Sequence, residues 1–200
     1  ALISIGRKPY TFGLNLDEAG VQTDSKGFII TKDNFQTSAE NIFAIGDCKL
    51  GPMLAHKASE EGTALAEIIV GQVGHVNFDT IPSVVYTAPE VASVGKTEEE
   101  LKSLGLKYKV GKFPFTANAK AKVMHETLGF VKILSDANSD KVLGVHMIGP
   151  DVGNMIAELA LAMEFGASSE DIARTCHAHP TLTESIKEAA LNVEKRAIHI

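Results

Sequence analysis

The stretch 129-GFVKILSDANSDKVLGVHMIG-149 contains two apolar runs separated by a short polar segment. The runs, 129-GFVKILS-135 and 141-KVLGVHMIG-149, are rich in β-branched and aromatic residues, which favour strands. The segment between them, 136-DANSD-140, consists mainly of residues that favour turns. We therefore predict a β-hairpin at the centre of an antiparallel sheet.

The chain around this hairpin supplies the other elements of an α+β domain. Thr97 and Glu100 form the sequence signature of a capping box at the start of a helix. Further strands are predicted at 84–86, 91–95 and 107–115. Further helices are predicted after Pro150-Asp151 (with Val152, Ile156, Leu159, Ala160 and Met163 as its apolar stripe), after Ser168, and at the end of the sequence with Ile186, Ala189, Ala190, Val193 and Ala197 on one face. Residues 77–200 are thus predicted to form an antiparallel sheet with helices on it.

Residues 1–76 have a different pattern, which predicts an incomplete α/β segment. The apolar runs 1-ALISIG-6, 27-GFIIT-31 and 41-NIFAIGD-47 favour short buried strands. A helix is expected from about Leu54 to Val70, and its buried face is predicted to consist of Ala58, Gly62, Leu65, Ala66 and Ile69. Three strands are too few for a sheet of this class, so we expect that upstream sequence is missing.

Composition excludes several classes of function. The formal net charge of −6 and the lack of a Lys/Arg cluster argue against a nucleic-acid-binding surface. Apolar runs are shorter than the ~20 residues of a membrane span, so no membrane partner is expected. Cys48 and Cys176 flank no CxxC motif, which favours a reduced intracellular chain over a structural disulfide.

Asp47 follows a predicted strand and precedes a predicted helix. A carboxylate at this place can accept hydrogen bonds from a sugar hydroxyl, and the first N–H groups of the next helix can face an anion. The alternative is an aspartate that caps a loop, and the dipeptide Gly46-Asp47 does not decide between the two.

The longer string 41-NIFAIGDCKLGPMLAHKASEEG-62 resembles the second flavin-contacting motif of the pyridine nucleotide–disulfide oxidoreductases. The resemblance implies that Asp47 binds the ribityl chain of FAD. It places Met53, Leu54, Ala55 and His56 around the flavin ring. The string 5-IGRKP-9 resembles the end of the family's NAD domain, with Gly6 near the nicotinamide nucleotide. The implied domains are the end of the NAD-binding domain at 1–9, the C-terminal segment of the FAD-binding/central domain at 10–76, and the interface domain at 77–200.

The stretch 177-HAHPTLTE-184 is open to three interpretations from its residues alone. Cys176, His177 and His179 could bind a metal ion, although their spacing is tighter than in the usual zinc patterns. Thr181 or Thr183 could start the last helix, with both histidines on the surface. Finally, Glu184 could reach back from that helix and orient His179 as an acid/base group.

The same stretch resembles the acid/base motif of the dihydrolipoamide dehydrogenase branch of the family. The resemblance implies that His179 is the catalytic acid/base, that Glu184 orients it, and that His177 has a packing or hydrogen-bonding role. The implied reaction oxidises protein-bound dihydrolipoamide to lipoamide with NAD+ as acceptor. A related glutathione-type disulfide reductase and a non-catalytic dimerisation module are the alternatives.

The sequence contains neither a CxxxxC redox pair nor a GxGxxG loop, both of which the family's chemistry requires. We therefore expect that FAD and NAD are bound mostly by residues outside this chain and that the chain alone is inactive. The resemblance implies a homodimer that serves lipoyl domains of 2-oxoacid dehydrogenase complexes and of the glycine cleavage system. It implies the mitochondrial matrix, or alternatively the bacterial cytoplasm.

Overall fold

A computed structural model describes all 200 residues of the chain. The chain divides into two compact units, Ala1–Val76 and Asn77–Ile200. No helix is both long and apolar enough to cross a membrane.

The first unit is built mostly of turns and isolated β-bridges. It contains a short 3-10 helix, Gly46–Cys48, and one α-helix, α1 (Ala55–Ile69). Ile29 forms an antiparallel bridge with Thr23 and a parallel bridge with Lys49. A small core consists of Val21, Ile29 and Ala44. The unit therefore holds pieces of an α/β arrangement without a sheet of its own.

The prediction of regular buried strands in this unit is wrong. Residues 1–6 are exposed and make no strand pairs, and the runs at 27–31 and 41–47 contribute only isolated bridges, two at Ile29 and one at Phe43. An isolated strand leaves its backbone N–H and C=O groups without ladder partners, and no neighbouring strand of this chain supplies them.

Helix α1 confirms the predicted helix, but the predicted apolar face is not its buried face. Its buried residues are Lys57, Glu61 and Ala64, whereas the Ile69 side chain is 63% exposed. The Lys57 and Glu61 side chains form an ion pair across one helical turn, with Nζ and Oε1 3.3 Å apart. Paired and hydrogen-bonded charges can be buried where unpaired ones cannot, and a hydrophobic periodicity does not reveal such a face.

The second unit contains a five-stranded antiparallel sheet with strand order β1-β2-β5-β4-β3. The strands are β1 (Ser83–Val85), β2 (Glu90–Gly95), β3 (Tyr108–Pro114), β4 (Phe130–Asp136) and β5 (Val142–Gly149). The predicted hairpin is confirmed as β4 and β5, in which Ile133 lies opposite Val145. Its strands occupy the centre of the sheet, beside β3 on one side and β2 on the other.

Five helices accompany the sheet: α2 (Glu98–Ser103), α3 (Ala119–Met124), α4 (Val152–Glu164), α5 (Ser169–Arg174) and α6 (Glu184–Val193). The capping box of Thr97 and Glu100 is confirmed, and Ser168 with Asp171 forms a second one. The prediction that Ala197 belongs to the last helix is wrong, because α6 ends at Val193 and Lys195 has a positive φ of 57°.

Helix α6 packs on β3 and β4, and α4 packs on β2 and β5. Gly111 of β3 permits a close approach of α6, because a Cβ atom there would lie 2.0 Å from the carbonyl oxygen of Ala189. The core between the layers includes Phe113, Ile133, Leu159 and Ile186, all at most 1% exposed. This packing fixes the position of the first turn of α6, where Glu184 is located.

Candidate functional site

His179 and Glu184 form a hydrogen-bonded pair before and at the start of α6. The His179 Nδ1 atom lies 2.9 Å from Glu184 Oε1, and Glu184 Oε2 accepts a hydrogen bond of 2.8 Å from the Thr181 backbone N–H. The peptide bond between His179 and Pro180 is cis. Both oxygens of the carboxylate are therefore used to hold the segment that carries the histidine.

The surroundings of Glu184 keep its carboxyl group ionised. Burial raises its pKa, but the hydrogen bonds from Thr181 and His179 lower it by more, so that the pKa ends below its usual value. An ionised carboxylate only accepts hydrogen bonds, so the proton between the two groups belongs to Nδ1 of His179. The neutral ring then has its lone pair on Nε2, and the side chain is 69% exposed. This arrangement can accept a proton from a molecule that approaches from solvent.

Asn118 fixes the same segment from the other side and was not found from the sequence. Its Oδ1 accepts from the Ala121 N–H and so caps α3, and its Nδ2 donates to the Thr181 carbonyl and to Ser185 Oγ, both at 3.0 Å. Asn118 is 3% exposed. An asparagine before Ala-Lys-Ala is an N-cap signal for a short helix, but its contacts with Thr181 and Ser185 are tertiary.

A cavity of about 50 Å³ adjoins the His179–Glu184 pair. Two further polar residues reach it, Glu188 from the second turn of α6 and His199 from the segment after that helix. The rest of its wall consists of Phe113, Ala117, Asn118 and Ala119. The composition and charge of this wall are therefore part of the environment of His179.

His177 has a different environment from His179. Its Nε2 lies 2.8 Å from Glu158 Oε1 of α4, its Nδ1 lies 3.0 Å from the Thr175 carbonyl oxygen, and its side chain is 5% exposed. The hydrogen bond with Glu158 raises the pKa of His177 more than burial lowers it. His177 thus connects the 175–183 segment to α4. The structure contains no group of three His, Cys, Asp or Glu side chains that could hold a metal ion, at Cys176, His177 and His179 or elsewhere.

Asp47 lies in the 3-10 helix of the first unit, with its side chain 48% exposed. Arg7 Nη1 lies 3.4 Å from Asp47 Oδ2, and Arg7 also donates a hydrogen bond to the Met53 carbonyl oxygen. Gly6, directly before Arg7, has a positive φ of 117°. The structure therefore brings the segment of Gly6 to the loop that connects Asp47 with Met53.

The amino terminus of α1 follows this loop. Leu54 occupies the N-cap position and provides no side-chain hydrogen bond, whereas Ala55 and His56 are exposed in the first helical turn. The first N–H groups of α1 are thus not capped by the Leu54 side chain, and they carry the positive end of the helix dipole. All the residues predicted to contact FAD or NAD lie in the first unit. Their role in cofactor binding stays a prediction.

The comparisons with known proteins match both units. The family model described as pyridine nucleotide-disulphide oxidoreductase, dimerisation domain, matches residues 81–190, and that described as pyridine nucleotide-disulphide oxidoreductase matches residues 1–62. Mitochondrial dihydrolipoyl dehydrogenase of Pisum sativum is 55% identical over 199 residues, covering 100% of this chain and 40% of the relative. Dihydrolipoyl dehydrogenase 3 of Pseudomonas putida is 54% identical over 199 residues, covering 100% and 42%.

Among solved structures, the HOCl-induced flavoprotein disulfide reductase RclA of Escherichia coli has a TM-score of 0.83 at 26% identity. The match covers 92% of this chain and 42% of RclA. The chain thus spans about 40% of the length of the curated relatives that it matches.

Proposed function

The chain belongs to the pyridine nucleotide–disulphide oxidoreductase family, and on this premise we propose that it acts as part of a longer dihydrolipoamide dehydrogenase. The proposed reaction oxidises protein-bound dihydrolipoamide to lipoamide with NAD+ as the final acceptor. The observation that carries the proposal is the 2.9 Å hydrogen bond between Glu184 Oε1 and His179 Nδ1, which leaves Nε2 of an exposed ring as a proton acceptor.

His179 performs the proton transfer of this proposed reaction. Its Nε2 accepts the proton of a dihydrolipoyl thiol, and the resulting thiolate is the nucleophile that attacks the redox disulfide of the complete enzyme. Glu184 remains ionised, holds the ring in the Nδ1–H tautomer and stabilises the imidazolium that forms. The disulfide belongs to residues outside this chain, because the chain has no CxxxxC pair.

The family is flavin-dependent, and we propose that the residues of the first unit contribute one side of a flavin site. We assign the half-exposed Asp47 carboxylate to the ribityl chain of FAD, and Met53, Leu54, Ala55 and His56 to the ring. The first turn of α1 offers backbone N–H groups to the electron-rich end of that ring. Gly6 is assigned to the nicotinamide nucleotide. Bound FAD would supply the two-electron carrier between the disulfide and NAD+.

The proposed domains are residues 1–9 as the end of the NAD-binding domain, 10–76 as part of the FAD-binding domain, and 77–200 as the interface domain. The match of residues 81–190 to a dimerisation domain supports a homodimer. Lipoyl domains of 2-oxoacid dehydrogenase complexes and of the glycine cleavage system are the proposed partners. The matched relatives include a mitochondrial plant enzyme and a bacterial one. We propose the mitochondrial matrix, with the bacterial cytoplasm as the alternative.

A second candidate function is that of a dimerisation module without activity of its own. It is favoured by the dimerisation-domain match and by the absence of the redox cysteine pair from the 200 residues. Both candidate functions predict a colourless and inactive 200-residue chain, so they are distinguished in the complete protein. Dihydrolipoamide oxidation by the complete protein that is lost in His179→Gln would contradict a purely structural role, whereas oxidation unaffected by this substitution would support it.

The acid/base role is tested in the complete enzyme by His179→Gln. We expect lipoamide-dependent activity to fall by about 10²- to 10⁴-fold, because general acid/base catalysis contributes on this scale, and flavin content to remain unchanged. His177→Gln is the matched control, since its imidazole hydrogen-bonds with Glu158 and Thr175, and it should retain activity. Full activity of the His179→Gln enzyme would rule out the proposed role.

A further inference from the structure

Glu188 and His199 form a second imidazole–carboxylate pair beside the first. Glu188 lies four residues after Glu184 on α6, so the two carboxylates occupy neighbouring positions on one helix face. His199 Nδ1 lies 2.7 Å from Glu188 Oε1, and Glu188 Oε2 accepts a hydrogen bond of 2.8 Å from the Ile198 backbone N–H. The contacts of Glu184 with His179 and Thr181 have the same form.

Glu188 holds the 198–199 segment against α6. Its side chain is only 5% exposed, and a carboxylate buried to this extent needs hydrogen-bond donors. The donors are the Ile198 N–H, the His199 N–H at 3.4 Å and the His199 ring. The segment after α6 therefore lies beside the cavity that adjoins the His179–Glu184 pair.

The charges on this cavity come from four groups only. His179, Glu184, Glu188 and His199 are its titratable wall residues, while β3, α3 and the turn between them contribute Phe113, Ala117, Asn118 and Ala119. No lysine or arginine lines the cavity. Lys187, between the two glutamates on α6, donates instead to the Thr175 carbonyl oxygen.

We propose that His199 is a positioning residue of the acid/base site, held by Glu188 so that its charge sets the protonation of the His179–Glu184 pair. Burial raises the pKa of Glu184. The hydrogen bonds from Thr181 and His179 lower it, and the positive charge of His199 makes a smaller contribution in the same direction. A positive charge on one imidazole of this cavity disfavours a positive charge on the other, because like charges repel. A positive charge on His199 therefore favours the neutral, proton-accepting form of His179.

The inference is tested in the 200-residue chain by NMR titration of the His179 ring. His199→Gln removes the charge, and we expect the pKa of His179 to rise by about 0.3 to 0.5 pH units, the size of an interaction between nearby exposed charges. His199→Lys makes the charge permanent and retains a donor to Glu188, so the pKa of His179 should fall. His125→Asn, a histidine of the same unit outside this cavity, is the matched control and should leave it unchanged.

Opposite shifts of the His179 pKa in His199→Gln and His199→Lys support the inference. Loss of a purely structural contact would shift this pKa in the same direction whatever the charge of the new side chain. Shifts below about 0.1 unit, or shifts in the same direction, overturn it. The His199 side chain is 65% exposed, so its substitution removes little buried surface. Protection of the α6 amides from hydrogen exchange verifies that each variant is folded.

The functional consequence rests on the proposed acid/base role of His179. In the complete enzyme, the acid limb of the kcat/KM profile for dihydrolipoamide should move in the same directions as the pKa of His179. If the pKa values shift and the complete enzyme does not oxidise dihydrolipoamide, the proposed function fails and the coupling of the two pairs stands. If the enzyme is active and the pKa values do not shift, the coupling fails and the proposed function stands.

Discussion

His177 and His179 are two positions apart in the sequence, yet two glutamates give their imidazole rings different surroundings. Glu158 of α4 and the Thr175 carbonyl oxygen bind both nitrogens of the nearly buried His177 ring. Glu184 binds only Nδ1 of the exposed His179 ring. A ring with both nitrogens engaged serves as a structural connection, whereas a ring with one free nitrogen can exchange a proton with a ligand.

The raised pKa of His177 predicts a pH-dependent contribution to stability. A raised folded-state pKa stabilises the folded chain below the unfolded value of about 6.5, and this contribution is lost as pH rises through the folded-state pKa. We therefore expect His177→Asn to lower the melting temperature more at pH 5.5 than at pH 8.5. The loss of melting temperature should be about 2 to 4 °C larger at pH 5.5, since a hydrogen bond to a charged group stabilises the fold by about 1 kcal/mol more than a neutral one.

The matched control for this measurement is His125→Asn, because the His125 side chain forms no ion pair and its backbone φ of 58° suits asparagine. Thermal unfolding by circular dichroism at both pH values provides the comparison. An equal effect of His177→Asn at pH 5.5 and 8.5 would show that the hydrogen bond with Glu158 does not depend on the charge of the ring.

At the scale of the element, α1 uses charged side chains where an amphipathic helix normally uses apolar ones. Glu61 is 0% exposed and accepts hydrogen bonds from Lys49 Nζ at 3.0 Å and from the Gly46 N–H at 2.6 Å. Lys57 Nζ donates to the Gly46 carbonyl oxygen at 3.2 Å. The buried face of α1 thus holds both backbone groups of the residue before Asp47, and it determines where that carboxylate lies.

Glu61→Gln is expected to destabilise the first unit by about 3 to 5 kcal/mol, because it leaves Lys49 and Lys57 buried without the carboxylate that compensates their charge. Amide hydrogen exchange at Gly46 and the urea midpoint of the first unit measure the effect. Glu60→Gln, an exposed neighbour on the same helix, is the control and should change stability by less than about 0.5 kcal/mol. Unchanged protection of Gly46 in Glu61→Gln would show that the ion pairs do not hold the loop.

At the scale of the whole molecule, the second unit has a complete core but also exposes several large apolar side chains. Tyr86 and Phe165 are each 82% exposed, and Leu128 is 68% exposed. Large apolar side chains such as these mark a protein–protein interface where they lie together on the surface. The dimerisation-domain match of residues 81–190 agrees with this interpretation.

We expect the 200-residue chain to be a dimer at micromolar concentration, because association would remove this apolar surface from water. Multi-angle light scattering measures the mass, and circular dichroism on the same sample verifies that the chain is folded. A folded monomer at that concentration would contradict the prediction.

The sequence by itself determined the features that depend on local patterns. The β4–β5 hairpin follows from two β-branched runs around a turn, and the capping box at Thr97 follows from the spacing of two side chains. The pairing of His179 with Glu184 was also expected, since the two lie five residues apart in a stretch that resembles a known acid/base motif.

Only the tertiary structure decided which charged side chains are buried and which distant residues surround the site. Asn118 lies 63 residues from Thr181, and Glu61 lies 12 residues from Lys49, so no local periodicity connects them. The runs at 1–6 and 41–47 have the composition of strands but lack neighbours in this chain, and a strand exists only when another one satisfies its backbone. Burial of a charge and pairing of a strand are both determined by a partner, and the partner is chosen by the fold.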